Sequence, residues 1–400
     1  MKELEYEGVN FDDVGEETSD QLKVNVQDVS QAVIWGTDWT TETINRQLEK
    51  GNIDLSPTFQ RRDAWSNPEK SCLIESLMLG IPVPQIILAE NKTQRNTYIV
   101  IDGKQRLLSI RRFYAGGGQQ NEENSFEPLK LSGLTVLSKF NGKTKKQIDS
   151  ESITSFENQP IRTIIIKNWP DEEFLYTVFL RLNTGSKPLS PQELRQALKP
   201  GKFLKYLDDA TANSEAMKKM LRNKGADSRM RDIELALRYF AFKYYLTDFN
   251  GNLKEFLDMA CEKFNLNWEE NENQYLNDFK DLEHAIEFAF EIMGNNSPFS
   301  RFSNGELSNR FNRSIYELFS YYFCIANIRA GLKDKRELFL QKFEELNANQ
   351  EFISAVSDTT KDPNKVVARF SLFADMLKSI MGDGIKIPTV SLENGKLKIV

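Results

Sequence analysis

One stretch changes its apolar period and orders the rest of the chain. Tyr98-Ile99-Val100-Ile101 is a continuous apolar run and predicts a buried strand. Leu107, Leu108, Ile110 and Phe113 then recur at helical spacing. Asp102 and Gly103 lie between the two patterns and predict a sharp strand-to-helix turn, with Arg106 in the first turn of the helix. Such a turn points backbone N–H groups outward, which suits an anion such as phosphate. The helix dipole disfavours a cation there, so Arg106 is either surface decoration or held by an anionic group.

The same reading places the neighbours. Thr41 to Lys50 is a helix, capped by Thr40, with Ile44 and Leu48 on one face and Gly51 at its end. Ile53 begins a strand-like piece that Pro57 kinks into the cationic loop Gln60-Arg61-Arg62. Asn67 caps the next helix and Pro68 opens it, with Leu73, Ile74, Leu77 and Met78 as its core face. Pro82 and Pro84 lead to a strand from Ile86 to Ala89. Ser132 to Phe140 is a short strand or an irregular cover, and Ile161 to Ile166 is a strong strand. Asp171 to Leu182 is helical, and Ser190-Pro191-Gln192-Glu193 is a capping box. Beyond Gly201 the pattern holds no convincing strand until the end. Arg231 to Leu246, Leu253 to Asn265, Tyr275 to Met293, Ile315 to Leu332 and Arg336 to Asn347 are helical, and Lys386 to Val400 is a candidate hairpin.

The fold class is therefore α+β: a unit with a small mixed sheet, then an all-helical domain. The expected boundaries are a flexible acidic segment at 1–25, a first domain at 26–200, a helical domain at 201–385 and a tail at 386–400. A chain of 400 residues suits two cores, since single cores stop growing at roughly 250–300 residues.

Composition narrows the chemistry. No apolar run reaches the roughly 20 residues that span a bilayer, and the acidic start predicts no signal peptide. Cys72, Cys261 and Cys324 sit far apart in apolar helical stretches, as reduced structural thiols of a cytoplasmic protein do. The net charge of −6 argues against a uniformly basic nucleic-acid coat but allows a local basic groove. His284 is the single histidine, which excludes an HNH nuclease, an HExxH site or a three-histidine zinc site in these residues.

Each candidate site has a plain structural alternative. Asn141-Gly142-Lys143-Thr144 resembles the end of a phosphate loop, but the required glycine five residues before Gly142 is Leu137, which rejects that motif. Asp102-Gly103-Lys104-Gln105-Arg106 is either a tight turn with a surface arginine or a ligand site. In the second case Gly103 permits close backbone approach and Arg106 clamps a phosphate. Asp102 then holds a metal or water, or orients Arg106. Gln60-Arg61-Arg62 is a solvated loop or, beside Phe59 and Trp65, a phosphate and base contact. Arg181, Asn183 and Thr184 crowd a helix end before Gly185 and offer donors to a phosphate or ribose. The stretch from Lys218 to Arg231 holds Lys218, Lys219, Arg222, Lys224, Arg229 and Arg231 against Asp227 alone. It is a solubilising face or a DNA-backbone contact.

These segments together resemble the N-terminal domain of GmrSD-type, modification-dependent (type IV) restriction proteins. The family signature is Asp-Gly-Gln-Gln-Arg, and this chain departs from it at Lys104. Gln60-Arg61-Arg62 with Trp65, Ile74 to Pro84, and Phe179 to Leu194 are similar to its other segments, and Arg229 to Arg238 and Asn252 to Leu257 are similar again. The resemblance implies a ParB/sulfiredoxin-like core that binds and hydrolyses a nucleoside triphosphate, with Mg²⁺, in a cytoplasmic anti-phage defence system acting on DNA. It implies Asp102, Gln105 and Arg106 as catalytic residues, with Asp102 on the metal. Gln60, Arg61, Arg62, Gly103, Lys104, Arg181, Asn183 and Thr184 would bind the nucleotide. Many members carry an HNH nuclease domain; here a separate nuclease subunit would supply it. The alternatives are a non-catalytic DNA-binding or adaptor subunit, and a metal-dependent DNA nuclease of ParB-like type.

Overall fold

Ile86, Ile87, Leu88 and Ala89 are all buried, because the sheet they enter is covered on both faces. In the computed structural model, which describes residues 8–11, 32–53, 55, 65–115, 126–171, 174–175, 178, 190–294, 297–303, 306–358, 360–382 and 384–400, the chain forms two compact units. One is Leu22–Leu198; the other joins Met1–Gln21 to Lys199–Val400. The flexible segment expected at 1–25 lies almost wholly outside the described residues.

The first unit contains strands β1 (Val33–Thr40), β2 (Ile86–Glu90), β3 (Tyr98–Asp102) and β4 (Pro160–Lys167). Their order is β1-β4-β2-β3, with β2 parallel to β4 and the other two pairings antiparallel. Its helices are α1 (Thr41–Glu49), α2 (Asn67–Met78), α3 (Lys104–Tyr114), α4 (Ser150–Asn158) and α5 (Pro191–Leu198). Ile86, Leu88, Val100 and Ile165 face the helices α1 to α4, where Ile44, Ile74, Leu77, Leu108 and Phe156 meet them. Ile87, Ala89, Ile101 and Ile166 face the other way, onto Trp169, Phe174, Leu175 and Leu194. The period-2 alternation of a strand thus serves two apolar layers.

Several expected details shift. The α2 cap is Ser66, not Asn67: its side chain accepts the Glu69 N–H while Glu69 reaches back to the Ser66 N–H at 2.7 Å. Ser132 to Phe140 is irregular, with only a short 3₁₀ turn at Ser138–Phe140. Strand β1 was not legible, since Gly36 and Asp38 interrupt its pattern and Val33, Ile34 and Trp35 stay half or more exposed at the sheet edge. Of the helix expected from Asp171 to Leu182, residues 174, 175 and 178 are helical and most others lie outside the described residues.

The second unit is helical: α6 (Lys202–Asn213), α7 (Glu215–Leu221), α8 (Arg231–Tyr245), α9 (Leu253–Leu266), α10 (Trp268–Met293), α11 (Arg313–Phe323), α12 (Ala326–Leu332), α13 (Arg336–Asn347), α14 (Gln350–Ser357) and α15 (Pro363–Met381). The helix expected from Ile315 to Leu332 breaks between α11 and α12. A two-stranded ribbon, Phe302–Ser303 with Glu306–Leu307, interrupts the helices where no strand was expected. The expected hairpin is present as Val390–Glu393 paired with Lys396–Ile399. No helix among the described residues is long and apolar enough to cross a membrane.

A chain of buried charges crosses this helical core. Glu317 bonds Arg238 at 2.9 Å and Arg369 at 2.7 Å, and Glu234 bonds Arg238 at 2.9 Å and Arg313 at 3.3 Å. Burial pushes the Glu234 carboxyl up, but Arg313 and Arg238 outweigh it and hold it below the usual carboxylate value. Truncating a shared carboxylate leaves two guanidiniums buried without it. Glu317→Ala is therefore expected to cost about 3–5 kcal/mol. Urea unfolding followed by Trp268, the only tryptophan after residue 198, measures it.

Candidate functional site

Asp102 ends β3 and Gly103 turns the chain into α3. Gly103 adopts φ 99° and ψ 12°, and a Cβ there would lie 3.1 Å from Ile86 Cγ1 and 3.3 Å from Arg106 Nη2. Glycine is the residue that meets both demands. The β2–β3 pairing shifts register just before the turn: Ile87 pairs with Asp102 and Leu88 with Val100, so Ile101 falls between them. A bulge of this kind re-aims the side chain that follows it. The cap residue of α3 is Gly103, which has no side chain to cap the helix start.

Arg106 turns back across Gly103. Its Nη2 donates to Asp102 Oδ2 at 2.8 Å and to the Gln85 carbonyl at 2.8 Å. The Arg106 side chain is 5% exposed and that of Asp102 28%. The arginine is the buried member of the pair, and the carboxylate is the one presented. Arg106 Nε is buried with no hydrogen-bond partner among the described residues. The cation in the first helical turn is thus held by an anionic side chain four residues earlier, which offsets the dipole.

The two residues between them are also engaged. Lys104 Nζ lies 2.7 Å from Glu193 Oε1, with both side chains almost fully buried. Glu193 Oε2 accepts the Ser190 N–H at 2.7 Å, and the Glu193 N–H donates to Ser190 Oγ at 3.1 Å, closing the expected capping box on α5. Gln105 Oε1 accepts the Trp65 N–H at 3.3 Å, and the Trp65 carbonyl accepts from Lys70 Nζ. The structure therefore brings Asp102, Gly103, Lys104, Gln105 and Arg106 together with Trp65, Gln85 and Glu193. The other expected nucleotide contacts, Gln60, Arg61, Arg62, Arg181, Asn183 and Thr184, lie outside the described residues. Gln85 and the Lys104–Glu193 pair were missed. Gln85 acts through its carbonyl, which side-chain identity does not reveal, and Lys104 and Glu193 are 89 residues apart.

The basic stretch lies in the helical unit. Lys218 bonds Glu215 at 2.8 Å, Lys219 stands 4.1 Å over the Phe290 ring, and Arg222 bonds Ser297 Oγ at 2.6 Å. Asp227 is buried and organises the rest. It accepts Nη2 of Arg231 at 2.7 Å, and the backbone N–H groups of Arg229 at 2.9 Å and Arg231 at 3.1 Å. Burial pushes the Asp227 carboxyl up, but the Arg231 guanidinium and backbone N–H and the Asn223 amide hold it below the usual carboxylate value. Lys219 and Lys224 are the exposed cations of the six. His284 is exposed on α10.

Residues 42–198 match the family model described as GmrSD restriction endonuclease, N-terminal domain. This segment is similar to a GmrSD-type N-terminal domain. No curated protein and no solved structure matches the chain. The GmrSD-type domain contains the whole turn and α5, whereas the similar segments at Arg229 to Arg238 and Asn252 to Leu257 fall outside the matched residues.

Gly103→Ala forces a side chain into a left-handed backbone and against Arg106. It is expected to destabilise the GmrSD-type domain by about 1–3 kcal/mol. A thermal melt of the full chain, read on the transition of that unit, checks the value.

Proposed function

We propose that this chain is a restriction-like defence protein acting on DNA, and that its GmrSD-type domain binds and hydrolyses a nucleoside triphosphate at the Asp102–Arg106 turn. The observation that carries the reading is the Asp102 carboxylate. It stands at the end of a sheet strand, partly exposed, beside the start of a helix whose cap residue is glycine, and is held by a buried arginine. The C-terminal ends of strands and open helix starts are where phosphates gather in α/β proteins.

Asp102 Oδ2 is committed to Arg106, which leaves Oδ1 for a magnesium ion or the attacking water. Mg²⁺ is commonly held by one or two carboxylates together with substrate phosphates. No cluster of three metal-ligating side chains occurs among the described residues, so a single carboxylate plus phosphate is the arrangement this site fits. The ion would neutralise charge on the transferred phosphoryl group. Arg106 would fix the direction of the Asp102 carboxylate. Gln60, Arg61, Arg62, Arg181, Asn183 and Thr184 would complete the phosphate and ribose contacts. Nuclease chemistry of the HNH kind would come from a separate subunit or from outside these residues, since the chain has one histidine.

A thermal-shift panel of four nucleoside triphosphates with Mg²⁺, followed by turnover of the best ligand, tests the reading. Asp102→Ala should stay folded but melt earlier, because it leaves the Arg106 guanidinium buried without its anion, and should lose turnover by on the order of 10²-fold or more. Arg106→Ala should lose turnover and melt earlier, because the Gln85 carbonyl and Asp102 lose a shared donor. Full turnover in a folded Asp102→Ala variant sinks the assignment.

A further inference from the structure

We infer that the lysine-rich segment 129–148 is a contact surface for the phosphate backbone of duplex DNA. The inference rests on the DNA-acting part of the proposed function and places the contact in the first unit, not at residues 218–231. Between Leu129 and Ile148 stand Lys130, Lys139, Lys143, Lys145 and Lys146, with no aspartate or glutamate among them. Asn141-Gly142-Lys143-Thr144, which fails as a phosphate loop, belongs to the same run.

The segment is irregular but firmly held. Leu129, Leu131, Leu134 and Phe140 are buried in the core of the first unit. One oxygen of Glu75 on α2 accepts the N–H groups of Val136 at 2.9 Å and Leu137 at 2.7 Å, and Ser71 Oγ accepts that of Ser132 at 3.0 Å. The Leu131 N–H donates to the Lys143 carbonyl at 2.9 Å, and the Gly142 N–H to the Leu131 carbonyl at 2.7 Å. These bonds bring Lys130 beside the turn at Gly142, where a Cβ would lie 4.0 Å from Lys130 Cε. Lys139 Nζ lies 4.7 Å and Lys143 Nζ 5.4 Å from the centre of the Phe140 ring. Lys130, Lys139 and Lys143 thus gather at one turn. A long connection without regular structure that is nonetheless fixed in place commonly carries function.

Charge decides the kind of partner. Lys145 bonds Glu157 at 2.7 Å, and Lys139 lies 3.7 Å from Asp149. Lys130, Lys143 and Lys146 form no ion pair among the described residues. Lys130 and Lys146 are exposed and Lys143 is half-buried. A phosphate backbone supplies the counter-charge to such ammonium groups and gains by releasing its own condensed counterions. Thr135 and Ser138 are exposed in the same segment, and hydroxyls of this kind donate to phosphate oxygens. Phe140 is the one aromatic residue of the segment and is buried, so no ring is presented to an unstacked base, which favours a duplex over a single strand. The segment has no arginine, whose planar fork reads guanine edges, so its contact follows the backbone and not the sequence.

The test measures binding of the full chain to a short unmodified DNA duplex by fluorescence anisotropy over a series of salt concentrations. The triple variant Lys130→Gln, Lys143→Gln, Lys146→Gln should keep the wild-type melting profile. It should bind about tenfold more weakly or worse, with the slope of log affinity against log salt shallower by about 2–3. Lys333→Gln, Lys386→Gln, Lys396→Gln removes the same charge from exposed positions of the helical unit and should stay within about threefold of wild type with an unchanged slope. Wild-type affinity and slope in the first triple variant overturn the inference and leave the DNA-acting reading standing. An equal loss in the second triple variant also overturns it, since net charge then explains the effect. Tighter binding of the single strand than of the duplex overturns the assignment to duplex DNA. A wild-type protein that binds no duplex, with or without nucleotide, overturns the inference and the DNA-acting reading together. If the first triple variant does not fold, Lys146→Gln decides: a slope shallower by about 1 supports the inference, and an unchanged slope overturns it.

Discussion

The buried guanidinium of Arg106 is the constraint on which the N-terminal domain's candidate site depends. A guanidinium keeps its charge at every relevant pH, so burying it requires an anion and acceptors in fixed positions. Here the anion is Asp102 and the acceptor is the Gln85 carbonyl, which leads into β2. The arginine can reach back four residues because Gly103 takes a left-handed conformation that brings the helix start over the strand end. Sheet, turn and helix are thereby locked through one side chain. The exposed edge of Asp102 inherits that rigidity, which the proposed contact to a metal or a water would need.

From this anchor the next two side chains can serve different neighbours. Consecutive residues on a helix diverge by about 100°. Lys104 and Gln105 accordingly reach separate parts of the domain, Glu193 on α5 and the Trp65 backbone before α2. A five-residue turn can organise segments 40 and 89 residues away because each of its side chains has a direction of its own. Lysine at position 104 suits this arrangement: its long stem crosses apolar surroundings and delivers charge to a buried carboxylate.

What was legible in the sequence follows from how local each signal is. The apolar runs at Ile86 and Tyr98 announced their strands because burial on both faces keeps polar positions out of them, and the strand at Ile161, which carries Arg162 and Thr163, was legible through Ile164, Ile165 and Ile166. The turn, the helix after it and the Ser190–Glu193 box were equally readable, since their chemistry lies within a few residues. Strand β1 was hidden because an edge strand with one exposed end needs no apolar pattern. Ser66 escaped as the α2 cap because Asn67 is also a good cap residue and precedes a proline; the Glu69 carboxylate decides in favour of Ser66. The Lys104–Glu193 pair had no local signature, since its two members lie 89 residues apart.

The helical unit shows why a run of cations in the sequence is not yet a binding surface. Of the six between Lys218 and Arg231, Arg231 is drawn to a buried carboxylate only four residues away, and Lys218 to Glu215. The Arg231 pair holds the loop between α7 and α8 in shape, while the Lys218 pair lies within α7. Such pairing lowers the counterion release that a phosphate backbone could gain from them, and counterion release supplies most non-specific DNA affinity. The same economy operates deeper, where Arg238, Arg313 and Arg369 are matched to Glu234 and Glu317. The most exposed cations of this stretch are the ammonium groups of Lys219 and Lys224, with Arg222 and Arg229 half-buried beside them. The fewer cations a surface leaves unpaired, the shallower the salt dependence of its binding to a phosphate backbone.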